Sequence, residues 1–531
     1  MPAKKGCFRV MDENNNRQPD EEKDQFIAEP FVPQQTPAPA GANPKPTFMT
    51  RWFPILLAIF MLVFGFFGGL LYSNLSKSEA GRVMDWMLKT IKENSLYYDE
   101  NMSDEELVAM IGTYGVQNAL TDHYAELLSP NSFYQLLLEM EGMNEGGVAI
   151  EIWQDYGADG KPVYGNDPNG NLTVLTKNIF VSQVYDYEIP TEQEAKDGYI
   201  SPTDFSAQNQ LKRFDRFVAL EVNGEWVDYW NQSYGSFWNA FLSFPLNTTF
   251  RAKVVRVEDK GDGTADYPRT PSGEIDTSKA KEVTLRNENY IPRYVTAYDS
   301  ESPEMAKVGL PADTLYLDFK SFMGKSDKQF ASIMSTFKEE GKSKLVLDLR
   351  YNGGGLLDIL ETLGSYLVRD PQNPDAANVL VGSQRFRNKS AVEYRTKDNF
   401  YASTGISQIV VLANGNTASA SEALIGAMDS YGTLTGYVGT TSYGKGIMQQ
   451  YFYFKQMQIS YALKLTTAQL YLPDGRTIHG VGFIPEGTAG KTDNLKAESR
   501  FVSETLYVAN GAGANFAADA QLAAALEILA A

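Results

Sequence analysis

The hydrophobic pattern of the chain changes character several times, and each change predicts an element or a boundary. Residues 1–51 show no period: Met11 to Asp24 is polar and charged, and Pro30 to Pro46 is rich in Pro, Gln and Ala. Such a stretch buries too little apolar surface to offset its ordering entropy, so a disordered tail is expected. The run Trp52 to Tyr72, WFPILLAIFMLVFGFFGGLLY, then carries no charge. Its length of about 21 residues crosses a ~30 Å hydrocarbon core as a helix. Pro54 sits near the start, where a helix tolerates it, and Trp52 and Tyr72 flank the run as interfacial anchors do. A cleavable leader has a shorter apolar run nearer the N-terminus. A single transmembrane helix is therefore expected over 52–74. Lys45 and Arg51 precede it and Lys77, Arg82, Lys89 and Lys92 follow it, so charge alone does not set its orientation.

Residues 79–143 take a helical period. Val83, Trp86, Met87 and Ile91 fall near i, i+3, i+4 and i+8. Ser103 followed by Glu106 is a capping box, and Ser129-Pro130 opens a further helix. Residues 144–288 turn β-rich, in runs such as GGVAIEIW, LTVLTKNIFV, FVALEVNGEWV and FRAKVVRVE. Asn223-Gly224 between two of them predicts a tight hairpin. From 289 to 531 strand and helix patterns alternate. TLYLDFKSF, SKLVLDLRYN and QIVVLAN read as strands; DKQFASIMSTFKEEGK, GLLDILETLGSYLV and SASEALIGAMDSYG read as helices. That alternation predicts an α/β domain on a largely parallel sheet. The chain ends in an Ala-Leu helix, DAQLAAALEILAA.

Composition narrows the function. The formal net charge is −19, which argues against nucleic acid, because phosphate binding needs a basic face. The single cysteine, Cys7, allows neither an intramolecular disulfide nor a cysteine-built zinc site. Two acidic, Gly- and Asn-rich loops, about 155–170 and 259–280, lack the full twelve-residue calcium pattern and read as solvated loops. No metal or organic cofactor is expected.

Three segments of the last domain follow strands, where α/β sheets place their sites. Asn352-Gly353-Gly354-Gly355 brings backbone N–H groups close to a ligand, or is only a turn into a helix. Asn414 to Glu422, NGNTASASE, presents a serine at a helix N-terminus, or only caps the helix. Thr441 to Gln450, TSYGKGIMQQ, holds a lysine between Gly444 and Gly446. If buried, such a lysine loses its proton readily and becomes a base; in a solvated turn it does not.

Together, LVLDLRYNGGGLLD, VVLANGNTASASEALIGAM and TSYGKGIMQQ resemble the three core motifs of the C-terminal processing, or tail-specific, peptidases. LTDHYAELLSPNSF resembles the family's helical cap, FDRFVALEVNGEWV its PDZ hairpin, and LPDGRTIHGVGFIPE its C-terminal part. The resemblance covers roughly residue 83 to the end. It implies a crotonase-like α/β protease core of ββα units over 289–531, a PDZ-like insert over 144–288 and a helical cap over 79–143. It implies Ser419 as nucleophile, Lys445 as general base and Gln449 as the residue that orients the lysine. The oxyanion hole maps to the backbone N–H groups of Gly354 and Ala420. Gly353 stands where family members usually carry proline, and one extra residue separates Ser419 from Lys445. The insert lacks a Gly-Leu-Gly-Phe-like carboxylate loop; Gly146, Gly147 and Val148 are the best candidates for that role.

The expected function is a membrane-anchored serine endopeptidase, single-pass in a bacterial envelope, with its protease domain outside the cytoplasm. Its substrates would be polypeptides with exposed C-terminal tails, which the PDZ-like insert docks or gates. A homo-oligomer or a regulatory partner is also compatible with such a chain. A histidine-based triad has only His123, in the helical region, and His479, beyond the strand pair that follows Lys445, to draw on. Two other classes remain: a catalytically silent binding protein on the same fold, and an acyl-CoA hydratase- or thioesterase-like enzyme that holds an oxyanion similarly.

Overall fold

The structure, a computed structural model, describes residue 88 and residues 103–120, 122, 124–141, 147–155, 163–170, 172–188, 211–260, 265–387, 389–456, 459–503 and 516–531. The expected tail over 1–51, the expected membrane helix over 52–74, His123 and Gly146 lie outside the described residues. Among those described, no helix is long and apolar enough to cross a membrane. The chain divides into two compact units, residues 1–129 with 452–463, and residues 130–451 with 464–531.

In the first unit, helix α1 (Asp104–Leu120) starts as its sequence predicts. The Ser103 N–H donates to Glu106 Oε2 at 2.9 Å and the Glu106 N–H to Ser103 Oγ at 3.2 Å, a reciprocal capping box. A three-residue strand, Glu126–Leu128, interrupts the region expected to be helical. Leu127 is held there by its N–H to Thr113 Oγ1 at 2.8 Å. In the second unit, helix α2 (Pro130–Glu141) opens on Pro130, as expected.

The insert is built on an antiparallel sheet. Strands β1 (Ile150–Gln154) and β2 (Ile179–Val184) pair with each other. Strands β3 (Arg216–Val222), β4 (Glu225–Asp228), β5 (Thr248–Val255) and β6 (Lys281–Asn287) form a four-stranded sheet in the order β6-β5-β3-β4. The β3–β4 turn is Asn223-Gly224, with φ of 52° and 83°. Both central residues are left-handed, as a type I′ turn requires, which is why Asn-Gly marked it. Helix α3 (Tyr234–Leu242), capped by Ser233, closes an aromatic core of Phe217, Phe237, Phe241 and Phe250 against this sheet.

The α/β part has a six-stranded sheet. Its strands are β7 (Val295–Tyr298), β8 (Thr314–Phe319), β9 (Lys344–Asp348), β12 (Gln408–Ala413), β13 (Gly436–Gly439) and β16 (Glu498–Phe501), in that order. Only the edge strand β7 is antiparallel to its neighbour; the other pairings are parallel. Between them lie β10 (Leu380–Phe386), β11 (Val392–Arg395) and the hairpin of β14 (Ile447–Gln456) and β15 (Ile459–Tyr471). Strand β10 pairs with both β11 and β15.

A sheet covered on both faces buries alternate residues into two cores, so its strands read as continuous apolar runs. Leu345, Leu347, Ile409 and Val411 enter one core, under helices α4 (Ser326–Thr336), α5 (Leu357–Leu367) and α6 (Ala420–Tyr431). Tyr316, Val346, Val410, Leu412 and Val438 enter the other, against Leu522, Ala525 and Ile528 of the last helix, α7 (Ala520–Ala530). Each fully buried aliphatic side chain contributes about 1.5–3 kcal/mol. The three segments singled out in the sequence leave the C-terminal ends of β9, β12 and β13.

Candidate active site

Neighbouring strand ends bring the segments together. Asp348 of β9 lies beside Leu412 of β12, and Ala413 of β12 beside Gly439 of β13. The chain therefore leaves all three strands on the same edge of the sheet.

Ser419 occupies the cap position of α6 with φ 59° and ψ −115°. That backbone is unfavourable for a residue with a side chain and costs about 1–3 kcal/mol, so surrounding bonds must hold it. They do so from both sides. The Ala418 N–H (3.0 Å) and the Ser421 hydroxyl (3.1 Å) both donate to the Asn352 carbonyl. The Ser419 N–H donates to Glu422 Oε2 at 3.0 Å. The turn is thus fixed to the glycine loop on one side and to the first turn of α6 on the other.

The glycine loop abuts it. A Cβ on Gly354 would lie 2.7 Å from both the Ala418 carbonyl oxygen and the Ala420 nitrogen, and 2.9 Å from Ser419 Cβ. With φ +93° as well, position 354 admits only glycine. Gly354 and Ala420 thus flank Ser419, as the sequence resemblance implies. Ala420 opens α6, where an N–H has no acceptor within the helix. The Gly354 N–H already donates to Asn352 Oδ1 at 2.9 Å. The Asn352 side chain in turn donates to the Phe319 carbonyl at 2.7 Å and is fully buried.

Lys445 is seated by the glycines around it. A Cβ on Gly444 would come within 2.9 Å of the Gly482 nitrogen, and one on Gly446 within 2.7 Å of the His479 nitrogen. The loop therefore packs its backbone directly on residues 478–482. Burial is the main cause that pulls the Lys445 ammonium down to about 8, and the neighbouring charge of Lys464 adds to it, against a smaller opposite pull from Glu422. Gln449 lies on β14 and its amide donates to Thr466 Oγ1 of β15 at 3.1 Å.

Glu422 joins the turn of Ser419 to the loop of Lys445, a part its sequence position does not announce. It is fully buried. Its Oε1 accepts from the Ser442 hydroxyl (2.6 Å) and the Gly444 N–H (2.7 Å). Its Oε2 accepts from the Lys445 N–H (2.8 Å) and the Ser419 N–H (3.0 Å). The backbones of Ser419 and Lys445 therefore converge on one oxygen atom. Burial raises the Glu422 carboxyl above its ordinary range, and the four donors oppose that shift. In sequence, Glu422 has only the signature of a capping residue in the first helical turn.

The other expected residues fall elsewhere. His479 stands exposed, with its N–H on Thr477 Oγ1 and its backbone against Gly446. The Gly147 carbonyl accepts from the Glu288 N–H at 3.2 Å, and the Val148 side chain is buried in the insert's core.

The insert also reaches the glycine loop. Tyr351, the residue before Asn352, is buried with φ 62°. The Arg213 guanidinium lies 4.6 Å from its ring centroid, the Phe214 ring packs edge-on at 5.4 Å, and Gln183 donates to its carbonyl at 3.4 Å. From beneath, Arg350 binds Asp348 and Asp519, with closest contacts of 2.7 and 2.8 Å, in a nearly solvent-free cluster. Burial acts to raise the Asp348 carboxyl, but Arg350 and the Tyr316 hydroxyl outweigh it and hold it below its ordinary range.

Parts of the chain are similar to known proteins. Residues 313–488 match the model of peptidase family S41. A "Probable CtpA-like serine protease" of Staphylococcus aureus (strain COL) is 28% identical over 211 residues, 40% of this chain and 38% of that protein. Its counterpart in Staphylococcus epidermidis (strain RP62A) is 29% identical over 170 residues, 32% of each chain. The matched stretch thus spans 38% and 32% of these two relatives. Among solved structures, the photosystem II D1 C-terminal processing protease aligns at 17% identity with a TM-score of 0.40, over 75% of this chain and 87% of that one.

Proposed function

We infer, from the membership of residues 313–488 in peptidase family S41, that this chain is a serine endopeptidase working through a Ser419–Lys445 dyad. The observation that carries the reading is the convergence of the Ser419 and Lys445 amides on Glu422 Oε2, at 3.0 and 2.8 Å. One residue binds the turn of the nucleophile to the loop of the base.

The chemistry follows from the groups present. Neutral Lys445 Nζ accepts the Ser419 Oγ proton as Oγ attacks the substrate carbonyl carbon. The tetrahedral oxyanion is held by the N–H groups of Ala420 and Gly354; losing one such donor typically costs ~10²–10³ in rate. The Gly354 hydrogen is shared with Asn352 Oδ1 when it serves. Lys445 then passes its proton to the leaving amine, the C–N bond breaks and an acyl ester on Ser419 remains. Water attacks that ester and gives one proton to Lys445, which returns it to Oγ as the ester C–O bond breaks; the acid leaves and ionises in solvent. Gln449, held by Thr466, orients the lysine. Desolvation keeps a useful fraction of Lys445 neutral near physiological pH.

The substrates are polypeptides with exposed C-terminal tails. The insert docks or gates them in the manner of a PDZ domain, and its grip on Tyr351 supports the gating role. Residues 52–74 anchor the chain in the membrane of a bacterial envelope, with the protease part outside the cytoplasm. The anchor rests on the length and apolarity of the segment, and the side of the membrane on the resemblance to the C-terminal processing peptidases.

The full chain in detergent, incubated with an unstructured protein such as casein, tests this reading. Wild type is expected to cleave it with or without EDTA, and Ser419→Ala and Lys445→Ala to be inactive. Cleavage surviving Ser419→Ala in a homogeneous preparation would refute the assignment. Removal of 52–74 is expected to release the chain from carbonate-washed membranes; retention would refute the anchor.

A further inference from the structure

We propose that Trp153, on strand β1 of the insert, is a specificity-determining residue of the proteolytic site, forming an apolar wall for the substrate side chain beside the scissile bond. The inference rests on the serine peptidase reading above and adds to it a residue outside the matched family segment.

Successive side chains of a strand point to opposite faces. Ile150 and Ile152 of β1 pack on the insert's apolar core beside Val148, and Trp153 stands outside that cluster. Its indole is half-buried and meets the glycine loop instead. A Cβ on Gly353 would lie 3.4 Å from Trp153 Cζ2, an ordinary contact distance. Gly353 has no positive φ. Its backbone therefore does not demand glycine, and a side chain longer than a methyl would run onto the indole. Gly353 is exposed, while the next residue, Gly354, is buried against Ser419. The indole thus borders the open side of the loop whose inner side touches the nucleophile. A tryptophan offers a large rigid apolar surface at low entropic cost, and this one is not spent on the core of its own domain. A carbonyl placed between Ser419 and the Gly354–Ala420 donors carries its side chain past Gly353, towards that surface.

The test uses the full chain and peptides that differ only at the residue preceding the scissile bond: Phe, Leu, Ala or Asp. Fluorophosphonate labelling of Ser419 runs in parallel, because that small probe does not need the wall. Wild type is expected to favour Phe and Leu over Ala and Asp in kcat/KM by roughly tenfold or more. Trp153→Phe is expected to keep most of the preference. Trp153→Ala should level it, chiefly through KM, and leave the labelling rate unchanged. An intact preference in Trp153→Ala would overturn the proposal. So would an equal fall of labelling and of all four peptides, since the indole would then only support the loop. If Trp153→Ala does not fold, an unchanged preference in Trp153→Gln decides against it in the same way. Wild type that is not labelled at Ser419 would instead refute the serine reading, and this inference with it.

Discussion

At the scale of single residues, the site depends on two groups that burial shifts in opposite senses. Lys445 is drawn down because its ammonium is desolvated; the Glu422 carboxyl is pushed up for the same reason, yet four donors surround it. Those donors define what Glu422 does. Glutamine in its place keeps one oxygen and turns an NH₂ group towards N–H and O–H donors. Hydrogen bonds to a charged acceptor are worth about 1.5–3 kcal/mol each, and unpaired buried donors add to the loss. Glu422→Gln is therefore expected to lower unfolding stability by ~2–4 kcal/mol in urea titrations and to slow fluorophosphonate labelling of Ser419 at least tenfold. Labelling at the wild-type rate would mean that Glu422 does not position the dyad.

At the scale of elements, the last helix is part of the site's foundation. Asp519 caps α7 by accepting from the N–H groups of Gln521 (3.0 Å) and Leu522 (3.1 Å), and it pairs with Arg350 beneath the glycine loop. Removing one partner of a buried pair typically costs about 3–5 kcal/mol. Asp519→Asn keeps a capping oxygen but loses the charge, so a marked fall in melting temperature is expected together with slower labelling. An unchanged melting temperature would show that α7 docks through its apolar face alone. The elements themselves were largely legible in sequence. The Ser103–Glu106 box, the Asn223-Gly224 turn and the doubly buried runs of β8, β9 and β12 are local signals, and each element formed where its signal lay. Strand Glu126–Leu128 was hidden inside a helical reading because its hold on Thr113 is a tertiary contact. The site was legible in part. Ser419, Gly354 and Lys445 stand in short motifs with a mechanical reason for each residue. Glu422 only ends its motif, Thr466 gives no sign of meeting Gln449, and Trp153 lies two hundred residues from Gly353. Such contacts are set by the sheet, and no local period records them.

At the scale of the whole molecule, the catalytic strand ends, the insert and the last helix meet on one short loop, Asp348 to Gly355. Tyr351 is held by the insert, Arg350 by the last helix and Asn352 by the Ser419 turn. A change in any of these supports is therefore felt at Gly354. The net charge of −19 over the whole chain favours its solubility. The most direct test of the dyad is the rate of fluorophosphonate labelling of Ser419 in the full chain, followed from below neutrality to well above it. Only the neutral amine accepts the serine proton, so the rate is expected to rise with pH and level off above a midpoint near the shifted value of about 8 for Lys445. Lys445→Ala is expected to remove that rise along with the labelling. A flat profile, or labelling that persists in Lys445→Ala, would contradict a base at Lys445.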